Sequence, residues 1–391
     1  MRKYNIPIAK TNLRACEINS VLEPLKSGWL VQGPKVKEFE DKWSEFTSSK
    51  HSIAVTSCTS ALQISLAAIG FGIGDEAIVP AFTWVSTANV VEHLGGKVTF
   101  CDINLETFNL DVDELEKIVT PSTKAIIPVH LFGLAAEMSE IMALAKKYHL
   151  NVVEDAACGF GTTYKGKHVG LFGDTGCFSF HPRKSITTGE GGMITTQDDG
   201  VADRVRCLRD HGAQISDLQR HRGPKPYLLS DHILAGYNQR MTDIQGALGS
   251  KQMDRARHII EERQHLAQKY TEAFKNIEWL QTPYEYDENK HAYQSYPCLF
   301  CPEKVSIDNV NKISQQRNSW MEKLQSNGIS TRPATHAVHM LKFYLEKYSI
   351  EATEFPNALI ANNCSISLPL YNGMSKDEQD YVIERVLESH F

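Results

Sequence analysis

Between residues 52 and 196 the chain repeats one arrangement, a short apolar run followed by a longer stretch whose apolar residues recur at helical spacing. The runs are Ile53-Ala54-Val55, Ala77-Ile78-Val79, Val98-Thr99-Phe100, Ala125-Ile126-Ile127-Pro128-Val129, Asn151-Val152-Val153, Cys177-Phe178-Ser179-Phe180 and Met193-Ile194-Thr195. Their alternation with helical stretches predicts an α/β unit, a mostly parallel sheet covered by helices on both faces. Ligands of such open sheets gather beyond the carboxyl ends of the strands, and Asp155 falls there, at the end of one run.

The texture changes after Asn238. A charge-rich stretch over residues 243–275 has Ile244, Ala247, Leu248, Met253, Ile259 and Ile260 as core-facing positions, which predicts a long helix leading out of the first unit. A strand over 294–300, a helix over 307–327 and a terminal helix from Ser375 then predict a smaller α+β domain. The division expected is 1–250 for the large domain with its N-terminal segment and 251–391 for the small one. Residues 216–231, which contain Arg220-His221-Arg222-Gly223-Pro224-Lys225-Pro226, have the polarity and breakers of an exposed loop. No internal repeat or low-complexity tract is present.

Composition narrows the function classes. The chain is 42% hydrophobic and 23% charged over 391 residues, an ordinary balance for a folded protein with a substantial core. A net charge of -6 supplies no basic field for a phosphate backbone or an anionic membrane, so neither is an expected partner. The start, Met1-Arg2-Lys3-Tyr4-Asn5-Ile6-Pro7, lacks a following apolar region, and no run approaches the length of a membrane span; the expected location is the cytoplasm. The nine cysteines form no secretory framework and are expected as thiols. Cys298-Leu299-Phe300-Cys301 has metal-like spacing but no second pair, and it reads as two structural thiols in a strand. Asn363-Cys364-Ser365 fits a glycosylation pattern only nominally.

The candidate chemistry centres on Lys184, in Ser179-Phe180-His181-Pro182-Arg183-Lys184-Ser185-Ile186-Thr187-Thr188-Gly189-Glu190-Gly191-Gly192, and on Asp155. A lysine and an aspartate, each just past a buried strand, can hold the two ends of pyridoxal 5'-phosphate. The amine condenses with the aldehyde, and the carboxylate keeps the pyridine nitrogen protonated so that the ring withdraws electrons. Ser57-Cys58-Thr59-Ser60-Ala61-Leu62 follows a strand and opens a helix, so its free amides and hydroxyls can cradle a phosphate; an ordinary helix cap uses the same residues.

These motifs, together with Gln32-Gly33-Pro34, Asn238-Gln239-Arg240-Met241 and Leu368-Pro369-Leu370, resemble the DegT/DnrJ/EryC1/StrS family of sugar aminotransferases over nearly the whole chain. The resemblance implies a fold-type-I, PLP-dependent transferase. It implies Lys184 as the cofactor lysine and proton carrier, Asp155 at the pyridine nitrogen, and Thr59, Ser60 and Ser179 at the phosphate. Trp84 matches the position whose ring stacks on the cofactor, although core packing is the ordinary reading of such an aromatic. Asn238 matches a residue donated to the phosphate by a neighbouring subunit, which implies a homodimer with shared sites, and Arg240 is expected to anchor that loop. The family usually has glycine at position 58 and glutamine or histidine at position 158; this chain has Cys58 and Cys158, the latter read as a small packing residue. His181, His336 and His339 carry no assigned role, and no metal is expected. The implied reaction transfers an amino group, from glutamate with 2-oxoglutarate as product, to a nucleotide-linked keto-deoxysugar for a surface glycan or related metabolite. Two alternatives stand beside it: a sugar dehydratase on the same scaffold, whose members replace the lysine with histidine, and a non-catalytic PLP-binding regulator.

Overall fold

All seven apolar runs contribute to one sheet: β1 (His51–Val55), β2 (Glu76–Pro80), β3 (Lys97–Cys101), β4 (Thr123–Ile126), β5 (Asn151–Asp155), β6 (Thr175–Ser179) and β7 (Gly192–Thr196). The order across the sheet is β1-β7-β6-β5-β4-β2-β3. The pairs from β6 through β3 are parallel, whereas β7 runs antiparallel to both β1 and β6. The computed structural model describes residues 4–214, 227, 229–285 and 288–391.

Strand alternation explains why the runs are apolar throughout. Ile53, Val55, Ala77 and Val79 pack into one hydrophobic cluster, while Ala54, Ile78, Val152 and Met193 pack into a second, so each strand is buried on both faces. The β4 strand stops at Ile126, two residues short of Pro128, which has no N–H to donate to a ladder.

Helices fill the intervals. They include α1 (Pro34–Thr47), α2 (Cys58–Ala68), α3 (Ser86–His93), α4 (Met138–Tyr148) and α5 (Asp199–Arg209). The expected long connector is two helices, α6 (Asp243–Met253) and α7 (Ala256–Phe274), because Arg255 leaves the helical region at φ -123, ψ 20. Its guanidinium is held instead by the buried Glu17, at 2.5 Å from Nε, and by the Asn12 carbonyl at 2.6 Å from Nη2. Ala247, Met253, Ile259 and Ile260 are buried as expected, whereas Ile244 and Leu248 are half-buried. The expected division at residue 250 lies inside α6. From that helix Asp243 reaches back to cap α1, accepting the N–H groups of Gly33 at 2.8 Å, Lys35 at 3.1 Å and Val36 at 3.0 Å. This contact joins the Gln32-Gly33-Pro34 motif to a region more than 200 residues away.

The C-terminal part carries a three-stranded antiparallel sheet of β8 (Leu280–Gln281), β9 (Tyr296–Phe300) and β10 (Ser365–Leu368), with β9 central. Around it lie α8 (Val310–Ser326), α9 (Pro356–Cys364) and α10 (Lys376–Leu387), the last capped by Ser375. Tyr296, Cys298, Trp320 and Val382 belong to the same apolar cluster as Ile53 and Val79, so this layer packs on one face of the large sheet. Cys298 is buried in β9, and both it and Cys301 are free thiols. Most of the expected loop 216–231 lies outside the described residues; Tyr227 and Leu229 within it are exposed. Among the described residues no helix is long and apolar enough to cross a membrane, and no cluster of metal-ligating side chains occurs.

Candidate active site

Three chain segments converge beyond the carboxyl ends of β1, β5 and β6. The first is the turn from β1 into α2. Ser57 is extended at φ -165, and its hydroxyl accepts the Ser60 N–H at 3.0 Å, which caps the helix. The Thr56 and Ser57 hydroxyls both lie within 3.0 Å of Ser60 Oγ, so three hydroxyls cluster at the positive end of α2. Thr59, half-buried in the first turn, makes no side-chain hydrogen bond to a described residue. Gly192 permits the approach: a Cβ there would stand 2.5 Å from the Ser57 carbonyl carbon and 2.8 Å from Cys58 N.

The second segment ends β5. Alternation points Glu154 and Asp155 to opposite sides of the sheet, and their surroundings separate their roles. Glu154 accepts backbone N–H groups from Gly170 at 2.6 Å, Phe172 at 2.6 Å and Gly173 at 2.8 Å, and the Nε2–H of His130 at 2.9 Å. Burial raises its pKa, but these partners outweigh burial and hold it below the ordinary carboxylate value. It is a structural anion for the 170–173 turn. Asp155 is buried with fewer partners: the Thr87 hydroxyl at 2.7 Å, the Ala157 N–H at 3.1 Å and the Cys58 thiol at 4.0 Å. Burial dominates here and raises its pKa, against the opposing pull of Thr87, Ala157 and the Lys184 charge. A carboxylate poised in this way is completed by a further cationic N–H donor.

The third segment joins β6 to β7 and carries Lys184. Phe180 N–H donates to Gly191 at 2.9 Å and Thr188 N–H to Phe180 at 3.0 Å, closing the base of the loop. The Thr187 hydroxyl donates to the Phe180 carbonyl at 2.8 Å, and Gly189 turns at φ +82. Lys184 Nζ lies 3.1 Å from Cys158 Sγ, its only hydrogen-bond partner among the described residues. Burial lowers the amine's pKa, yet the Cys158 sulfur first, then Cys58 and Asp155, bring it above the ordinary lysine value. Cys158 therefore touches the Lys184 amine and is more than the small packing residue expected from the sequence.

The remaining expected residues sit around this centre. Ser179 ends β6, with its hydroxyl 3.4 Å from the His181 N–H. Trp84 is 59% exposed and so is not a core aromatic; its ring lies 5.6 Å from that of exposed His336, which pairs with Thr83 across a short two-stranded ladder. His339 is fully buried, donates from Nε2 to the Ala352 carbonyl at 3.1 Å and packs on Phe355, so it is structural and apart from His336. His181 accepts the Arg183 N–H at 3.2 Å, and burial lowers its pKa. Asn238 is exposed, with its backbone bridged to Asp210, and no described residue takes its side chain. Arg240 pairs with Asp210 and anchors this strand-like segment. Thr87 was missed in the sequence: it lies in the first turn of α3, 68 residues from the carboxylate it supports.

The donor set fits pyridoxal phosphate. An amine, a buried carboxylate awaiting a cationic partner and a hydroxyl-rich helix N-terminus match its aldehyde, pyridine nitrogen and phosphate. The sequence pattern of the DegT/DnrJ/EryC1/StrS aminotransferase family matches residues 11–387. The chain belongs to this family. It is 37% identical over 385 residues to the spore coat polysaccharide biosynthesis protein SpsC of Bacillus subtilis, covering 98% of this chain and 97% of the relative. Its fold superposes on Helicobacter pylori PseC, an aminotransferase involved in the biosynthesis of pseudoaminic acid, with a TM-score of 0.88, 26% identity and 98% of each chain covered. Spr1654 of Streptococcus pneumoniae, solved in a PLP form, superposes with a TM-score of 0.87, 29% identity and 97% of each chain covered. The protein is a PLP-dependent sugar aminotransferase of the mostly parallel α/β class.

Proposed function

We propose that the chain transfers an amino group from glutamate to a nucleotide-linked keto-deoxysugar at the 3 or 4 position, in the synthesis of a surface glycan or related amino sugar. The convergence of the Lys184 amine and the Asp155 carboxylate beside the N-terminus of α2 carries this reading. The relation to SpsC and PseC supports the sugar and polysaccharide side of it. When bound, the cofactor supplies an aldehyde for nitrogen exchange and an electron-withdrawing ring.

The roles of the chain's own groups follow from their places. Thr59, Ser60 and Ser179, with the free amides of the α2 N-terminus, hold the phosphate; Asp155 holds the proton on the ring nitrogen; Trp84 covers the ring and excludes water. Lys184 would attach the cofactor and, when released, act as the base and acid of the 1,3-proton shift, for which an amine held beside the reacting carbon is suited. Asn238 has no partner for its side chain among the described residues and is exposed, which supports its donation to the site of a second copy in a homodimer.

The test is a panel of nucleotide-linked keto sugars incubated with glutamate and cofactor, with 2-oxoglutarate release and amino-sugar formation measured together. One or more deoxysugars should yield both products in equal amounts. Release of 2-oxoglutarate without an amino sugar from any member would remove the proposed acceptor class.

A further inference from the structure

The contact between Cys158 and Lys184 has a chemistry of its own. A thiol and a primary amine 3.1 Å apart are within reach of a covalent bond after a small side-chain rotation, and the lysine stem supplies the needed freedom. Cys158 is half-buried, so a small oxidant reaches it, whereas neighbouring Cys58 and Cys177 are buried. The thiolate is the form that peroxides oxidise, and Lys184 is the cationic group in contact with this sulfur.

We propose that Cys158 and Lys184 form a peroxide-driven sulfur–nitrogen cross-link, a modification site that switches the enzyme off by consuming the amine needed to attach the cofactor. In the first step the thiol attacks the peroxide, giving a sulfenic acid and water; sulfur is oxidised by two electrons and the peroxide reduced. In the second step the Lys184 nitrogen displaces hydroxide from the sulfenic sulfur, forming the S–N bond, and the amine proton leaves with the hydroxide as a second water. Oxidation itself primes the second step. Burial favours the neutral form of the Lys184 amine, and the Cys158 sulfur is the first of the groups that oppose it. Converting that sulfur to a sulfenic acid weakens this opposition and moves the balance towards the neutral, nucleophilic amine. A thiol reductant reverses the link by attacking sulfur and releasing the amine.

The cross-link rests on the geometry of the pair; its inactivating effect rests on the proposed role of Lys184. Both are tested by treating holoenzyme with hydrogen peroxide in the presence of glutamate, then digesting and mapping it by mass spectrometry. The expected product is a pair of peptides joined through Cys158 and Lys184, two hydrogens lighter than the separate peptides together. It should be absent from Cys158→Ser, abolished by prior borohydride reduction of the holoenzyme, and lost on adding dithiothreitol as activity returns. Cys158→Ser should keep a severalfold larger fraction of its own starting activity under the same peroxide. Finding Cys158 as a sulfinic acid or as a disulfide with Cys58, with no Lys184-linked peptide, would overturn the proposal. A cross-link that forms undiminished after borohydride reduction would keep the modification but remove Lys184 from its cofactor role.

Discussion

The opposite fates of Glu154 and Asp155 show how two adjacent carboxylates acquire separate roles. Glu154 receives four hydrogen bonds from the protein and is satisfied; Asp155 receives fewer and keeps a raised pKa, which supports the proposal that a protonated ring nitrogen completes it. Asp155→Asn should therefore retain cofactor in titrations but turn over at least about 100-fold more slowly, because an amide cannot hold the ring proton electrostatically. Near-normal turnover would place the ring proton on another group. Thr87→Val keeps the shape and removes one hydrogen bond to the carboxylate, a loss of about 1–3 kcal/mol at a buried charged acceptor. Its kcat should fall by about tenfold or more while the KM for the sugar changes little; an unchanged kcat would make Thr87 a packing residue only. Lys184 and Asp155 were legible in the sequence because each sits beside a recognisable strand end. Thr87 and the Cys158–Lys184 contact were not, since a hydroxyl or thiol carries no spacing signal and its partner is set by tertiary packing.

At the scale of elements, the seven strands were legible from short apolar runs, but the break between α6 and α7 was not. The sequence 243–275 keeps its helical character across the break, where Arg255 is tied to Glu17, 238 residues away, and to the Asn12 carbonyl. The short hairpin of Thr163–Tyr164 with Lys167–His168 carries a different consequence. His168 donates from Nδ1 to the Val169 carbonyl at 2.6 Å and accepts the Gly161 N–H at Nε2, 3.1 Å away, so a second proton would displace that donor. Burial lowers its pKa from 6.5 to about 4. The unfolded chain then binds more protons between these values, so folded stability is lost as pH falls from 6.5 towards 4. At about 1.4 kcal/mol per unit the loss is on the order of 3 kcal/mol. Urea midpoints measured across this range should fall steeply for the native protein and more gently for His168→Asn, which starts less stable at pH 7. Identical slopes would mean that His168 protonates freely in the folded state.

On the scale of the whole molecule, the C-terminal layer shares its core with one face of the large sheet, so the site rests on a continuous scaffold. Assembly adds a further level. If Asn238 serves a neighbouring copy, mixing inactive Lys184→Ala with inactive Asn238→Asp subunits should restore activity, because in the mixed dimer one site collects both lesions and the other neither. Verified subunit exchange without recovery would assign Asn238 to its own chain. The central proposal is nitrogen transfer from an amino acid to a nucleotide-linked keto sugar, with Lys184 attaching the cofactor and carrying the proton. Its most direct test supplies 15N-labelled glutamate with the sugar and measures the label in the product by mass spectrometry. One labelled amino group per sugar is expected with the native enzyme and none with Lys184→Ala. Labelled amino sugar from Lys184→Ala would contradict it.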